Sequence, residues 1–285
     1  MEVFLQLAPA TVVGILYALR THRLAGTPRA VPEWRRWCFF GGIVLIVVTL
    51  TSMGSLADEL FWAHMVEHLV IGDLGTLLLV LGLTGPVLAP VLRIRFFDRL
   101  RILAHPLIAF PLWALDLYLW HVPFFHEAAV RHAGVHALQH FSFVAFGFNM
   151  WMALLGPLPK PAWFGNLARL VYIIAVRMTG AILGNIFVFG GHVFFGVYAA
   201  GEAAHGISPG ADQNAAGAIM MVEGSLLTLA LFGWLFARTA QEGEERQELL
   251  DLAAARGVEL TEQRAARAVA AGRGDELRRR LEAGS

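Results

Sequence analysis

His64 and His68, in the stretch W-A-H-M-V-E-H, stand four residues apart inside Trp62–Gly82, an apolar run long enough to cross a bilayer. Residues at that spacing share one face of a helix, so both imidazoles point at a common neighbour. A second pair, His136 and His140, repeats the spacing, with His132 one turn earlier. His121 closes the motif W-H-V-P immediately before Pro123. Imidazoles in an apolar run are costly unless they meet a metal, a cofactor or polar partners. Imidazole suits copper, zinc and haem iron, and methionine adds a soft character that favours Cu(I). Metal or haem ligation by His64, His68, His136 and His140 is therefore the functional reading, with polar packing or proton handling as its competitor. Met65 and Glu67 flank the first pair but point off its shared face, and the single histidines His126, His132 and His205 read as facing water.

Ionisable groups inside apolar runs form a second signal: Asp73, Asp116 and Glu223, with Arg177 as the natural counter-charge for one of them. Charges at such depth must face the bundle interior and find partners. An ion pair of Arg177 with Asp116 or Glu223 is the structural reading, and a proton or ion route the sharper one. Asp212 lies near the start of the last apolar run, where a helix N-terminus favours a carboxylate. Ser208-Pro209 just before it reads as a cap and first-turn pair.

The elements that must carry these residues follow from composition. The chain has 285 residues, 57% of them hydrophobic and 15% charged, well below the roughly 25% charge of a soluble domain. Several apolar runs approach the ~20 residues that span a hydrocarbon core. The expectation is an all-α, polytopic seven-transmembrane-helix bundle over Val3–Leu19, Trp37–Met53, Leu60–Leu83, Leu103–His121, His136–Leu155, Leu167–Phe189 and Ala215–Ala237. The start, M-E-V-F-L-Q-L-A-P, lacks a basic n-region, so the first run reads as a retained span. Arg20, Arg23, Arg29, Arg35 and Arg36 fall in the first connection, Arg93, Arg95, Arg99 and Arg101 in the third, and Lys160 in the fifth. By the positive-inside rule the odd connections are cytoplasmic, which with seven spans puts the N-terminus outside and the C-terminus cytoplasmic. That topology places nine of the histidines toward the outer side. Residues 1–240 form the membrane domain, and 241–285 a charged amphipathic tail of one or two helices separated near Gly257. Cys38 is the lone cysteine, which excludes an intramolecular disulfide and a Cys-X-X-Cys site. The zero formal net charge gives no nucleic-acid-directed face.

Several motifs in order carry a resemblance: H-M-V-E-H at 64–68, W-H-V-P at 120–123, H-A-L-Q-H at 136–140, G-P-L-P at 156–159 and I-S-P-G-A-D-Q-N-A-A-G-A-I-M at 207–220. Over roughly residues 1–240 the chain resembles the bacterial seven-helix CtaG family of caa3-type cytochrome c oxidase assembly factors. The resemblance implies a multi-pass protein of the bacterial plasma (inner) membrane that handles copper, as Cu(I), at the outer face for an oxidase copper centre. His64 and His68 match the family's first histidine pair, His121 its Trp-His motif, His136 and His140 its later pair, and Asp212 with Gln213 its Asp-Gln motif. Glu67 stands where the family commonly shows glutamine, and Glu223 where it commonly shows proline. The implied partners are cytochrome c oxidase subunits or another copper chaperone, in membrane lipid, with a homo-oligomer open to the chain. Nothing in the pattern is catalytic in the bond-making sense.

The expected arrangement is one copper ion held by His64, His68, His136 and His140, with His121 beside it. Occupancy should fall through about pH 6.5 and below, because protonated imidazoles do not bind metal. The alternatives are a haem-binding electron-transfer protein, an intramembrane zinc-dependent hydrolase, and a bundle that only stabilises an oxidase partner.

Overall fold

The computed structural model describes residues 2–283, with side chains from residue 8 onward, so Met1 and the side chains opening the first apolar run lie outside it. The described elements are helices. The chain runs α1 (Glu2–Leu24), α2 (Glu33–Ser52), α3 (Gly54–Glu59), α4 (Phe61–Leu69), a π-helical turn (Val70–Gly75), α5 (Thr76–Gly82), α6 (Gly85–Leu92) and α7 (Arg95–Leu100). It continues through α8 (Pro106–Trp120), α9 (Pro123–Arg131), α10 (Ala133–Leu154), α11 (Asn166–Phe189), α12 (Ala199–His205), α13 (Pro209–Ala255), α14 (Glu262–Ala270) and α15 (Gly274–Ala283).

The expected seven spans are not found. Among the described residues four helices are long and apolar enough to cross a membrane: Glu33–Ser52, Phe61–Gly82, Asn166–Phe189 and Pro209–Ala255. A fifth is gained if Arg95–Ala104 and Pro106–Trp120, bent by 78° at their junction, count as one. Two physical reasons account for part of the shortfall. The helix α8 is only 15 residues long, short of the ~20 that a span needs. The helix α10 has the length, but His136, Gln139, His140 and Asn149 make it too polar. The terminal orientation inferred from an odd number of spans falls with that number.

The chain divides into two compact units, residues 1–226 and 227–285. In the first, Phe61–Gly82 is the most buried of the four spans. Its π-helical turn is held between α2 and α10, where backbones come close enough to admit only glycine. A Cβ at Gly42 would lie 2.8 Å from Gly75 O, and one at Gly147 would land on Gly72 O. Small residues at such crossings let helices approach by backbone contact. The α10 contact sits two turns from His140, so it sets how closely the two histidine-bearing helices approach. Gly147→Ala is therefore expected to lower stability by about 1–3 kcal/mol through overpacking. An unchanged thermal midpoint in detergent would contradict this.

Arginines tie the opposite end of the same span. Arg35 donates to Leu81 O at 2.8 Å and Leu83 O at 3.0 Å, and Arg20 to Pro86 O at 2.8 Å. Tyr17 donates its hydroxyl to Gly82 O at 2.9 Å. The carbonyls of residues 81–83 are freed where α5 stops before Gly85-Pro86, and Pro86 O, inside α6, is freed because Pro90 four residues on has no N–H to donate.

In the second unit, Leu249 and Ala253 of α13, Val269 of α14 and Leu281 of α15 form a small apolar core. Thr261 caps α14 by accepting from Arg264 N at 3.3 Å. Gly257 turns the chain at φ +63°, a conformation that favours glycine. A third tail helix, α15, begins at Gly274.

Candidate metal centre

The helix α4 begins where the extended Leu60 interrupts the chain, leaving its first backbone N–H groups without intrahelical acceptors. Asp212, fully buried near the start of α13, supplies them. Its two carboxylate oxygens accept from Phe61 N and Trp62 N, each at 2.8 Å. Asp212 thus caps the histidine helix rather than its own. Its neighbour Gln213 accepts from Phe194 N at 2.8 Å and donates to Phe187 O at 3.1 Å and His192 O at 2.9 Å, holding the loop after α11. Ser208 Oγ accepts from Ala211 N at 3.3 Å, as the cap reading expects for α13. Charge-assisted bonds of the Asp212 kind contribute roughly 1.5–3 kcal/mol each. Asp212→Asn is expected to cost about 2 kcal/mol and to speed amide exchange in residues 61–68. Unchanged protection there would refute the capping role.

One and two turns beyond this cap, His64 and His68 face His136 and His140 on α10. Ring centroids lie 4.2 Å apart for His64–His68, 4.1 Å for His136–His140, 5.2 Å for His64–His136 and 5.4 Å for His68–His140. His64 is 0% exposed. Both ring nitrogens of His64, His68 and His140, and Nε2 of His136, are buried without a hydrogen-bond partner. Glu67, 1% exposed, turns into the same space. Its unpartnered Oε2 lies 3.6 Å from His140 Nε2 and 3.9 Å from His136 Nε2. So many buried polar atoms left unpaired would each cost on the order of 1–3 kcal/mol, and a shared cation would satisfy one nitrogen of each ring that binds it. Ligands about 2.0–2.1 Å from an ion at tetrahedral or trigonal angles stand roughly 3.3–3.6 Å apart, and the Glu67 oxygen stands 3.6 Å from His140 Nε2 and 3.9 Å from His136 Nε2.

The four expected histidines do not form one set. His64, His68 and His136 bring ligand atoms within 4.8 Å of one another, and so do Glu67, His136 and His140. His121 stands beside them with its Nδ1 engaged and its other ring nitrogen left as an unprotonated lone pair. Its Nδ1 donates to Leu117 O at 2.6 Å and its Nε2 lies 3.4 Å from Met65 Sδ. His126, expected to face water, is instead fully buried. Its ring centroid is 4.8 Å from that of His64, and its Nε2 is 2.8 Å from the Tyr198 hydroxyl. Gln139 is buried here too, with both amide atoms unpartnered. Glu67 and His126 were the residues that spacing passed over. Glu67 carried a signal in being a carboxylate between two histidines, and His126 in following Pro123 by one helical turn.

The ionisable residues lie apart from the histidines. Arg177 pairs bidentately with Asp73, at 2.8 and 3.3 Å, and approaches Glu223 at 3.8 Å. Asp116 instead accepts from Trp120 Nε1 at 3.0 Å, an indole that also lies 2.7 Å from Ser142 Oγ.

The fold and the cluster define a class: a polytopic membrane protein with a buried histidine–carboxylate site that can coordinate a metal such as copper. The chain belongs to the cytochrome c oxidase caa3 assembly factor family (Caa3_CtaG), whose family model matches residues 15–242. That places it in the bacterial inner membrane as a multi-pass protein, in a family of assembly factors rather than enzymes. It is similar to "Uncharacterized protein ML1998" of Mycobacterium leprae (strain TN), at 26% identity over 199 residues. That match covers 62% of this chain and 29% of the relative, so the chain spans less than a third of the relative's length. No solved structure matches it.

Proposed function

We propose that the protein binds copper as Cu(I) through His64, His68 and His136 and passes it to an assembling cytochrome c oxidase, directly or through another copper chaperone. The observation that carries this reading is the concentration of unpartnered imidazole nitrogens at one end of the most buried span. Three neutral imidazoles without a thiolate suit a copper cargo that must also be released. Ring separations of 4.1–4.2 Å within each pair suit a small ion rather than the plane of a porphyrin. His121, with Met65 against its Nε2, lines the approach to this set. Arg35 binds the other end of the span and Arg20 the start of the helix that follows it. About 17 residues at 1.5 Å each separate that end from His64, some 25 Å. By the positive-inside rule the arginine end faces the cytoplasm, so the cluster lies toward the outer face.

The test is the copper content and activity of cytochrome c oxidase in membranes of cells that lack this chain. Oxidase deficient in copper, restored by the wild-type chain and not by a His64→Ala/His68→Ala variant, is the expected result. Fully metallated oxidase in its absence would refute delivery.

A further inference from the structure

Among the described residues no arginine or lysine pairs with Glu67, a buried carboxylate. An isolated carboxylate in a low-dielectric interior is strongly disfavoured unless a positive charge compensates it. The groups that face its free oxygen are His136 and His140, and of these only His136 also belongs to the triad of His64 and His68. The donor sets differ in kind. One is three neutral imidazoles, and the other is two imidazoles and an anion.

We propose that the cluster is two overlapping metal positions sharing His136: an all-imidazole position at His64, His68 and His136 for Cu(I), and a second at Glu67, His136 and His140 for a divalent ion. The inference rests on the metal-binding reading above and adds a ligand and a position to it. Charge decides which ion sits where. Cu(I) with three neutral imidazoles carries a net charge of one, and a divalent ion beside the Glu67 carboxylate carries the same. Without the carboxylate a divalent ion would leave two charges buried, at a cost that rises steeply in low dielectric. The harder oxygen donor also suits a divalent ion better than Cu(I). His136 belongs to both groups, and with one nitrogen serving either position, occupancy of one competes with the other. An ion could then exchange positions with one ligand retained throughout.

The test is a titration of full-length protein in mild detergent with Cu(I) under reducing conditions and, separately, with Zn(II) as a redox-inert divalent probe. Wild type is compared with Glu67→Gln and His64→Ala/His68→Ala, each checked for a monodisperse size-exclusion peak and an unchanged thermal midpoint. Glu67→Gln is nearly isosteric, so its fold is expected to survive. It should hold Cu(I) within about threefold of wild type and weaken Zn(II) by tenfold or more. The histidine double variant should show the reverse, and each metal should displace the other in wild type. Equal loss of both metals in Glu67→Gln would mean a single shared position, and no loss of either would mean that Glu67 is not a ligand. Both results overturn the inference while leaving copper binding intact. Wild type that takes up neither metal would overturn the underlying reading as well.

Discussion

His136→Ala is expected to abolish high-affinity Cu(I) binding in detergent-purified protein, while His132→Ala, one turn earlier on the same helix side, leaves it unchanged. Among the described residues His136 is common to both groups of converging ligand atoms, so neither three-ligand set survives its loss. His132 is exposed. Changes to residues that merely support a metal ligand already weaken binding ~10–100-fold, so deletion of a ligand should reach about a hundredfold or more. Competition against a chromophoric Cu(I) chelator reads this directly. If His136→Ala binds as tightly as wild type, the two histidine helices do not share an ion. His140→Ala should have a smaller effect on Cu(I), because His140 converges with Glu67 and not with His64 and His68.

The second large effect concerns stability. Arg177 and Asp73 have side chains only 9% and 11% exposed, and the guanidinium also lies 5.1 Å from the Trp151 ring centroid. Trp151 in turn donates its indole N–H to Asp73 O at 3.0 Å. Arg177→Ala would leave the Asp73 and Glu223 carboxylates facing each other without a counter-charge. Breaking a buried pair by removing one partner typically costs about 3–5 kcal/mol. The expected result is protein that aggregates or melts far below wild type in fluorescence-detected size exclusion. Asp73→Asn should be milder, because Glu223, 3.8 Å from the same guanidinium, can take up the charge. A wild-type midpoint for Arg177→Ala would show that the triad contributes nothing measurable.

The all-helical membrane character and the two histidine pairs were open to sequence reasoning because both are local. Apolar runs report on the solvent around a helix, and a spacing of four reports on which side chains share a face. The number of spans was less legible. An apolar run does not reveal where α8 bends from the preceding turn. Partner choice was not legible at all. Arg177 could have met any of three carboxylates, and it pairs with Asp73 while Glu223 stands 3.8 Å away. Asp212 looked like the cap of its own helix, yet its oxygens cap α4, some 150 residues away in the chain.

By itself, then, the sequence determined the membrane class, the family motifs and which helix faces carry imidazole, since these follow from composition and periodicity. Only the tertiary structure decided that His136 joins two ligand groups, that Glu67 and His126 belong beside them, and that glycine contacts between α10 and the π-helical turn set their distance. The reason is physical: ligation and charge pairing depend on positions within a few ångströms across helices, and nothing local in the chain encodes the packing that brings those helices together.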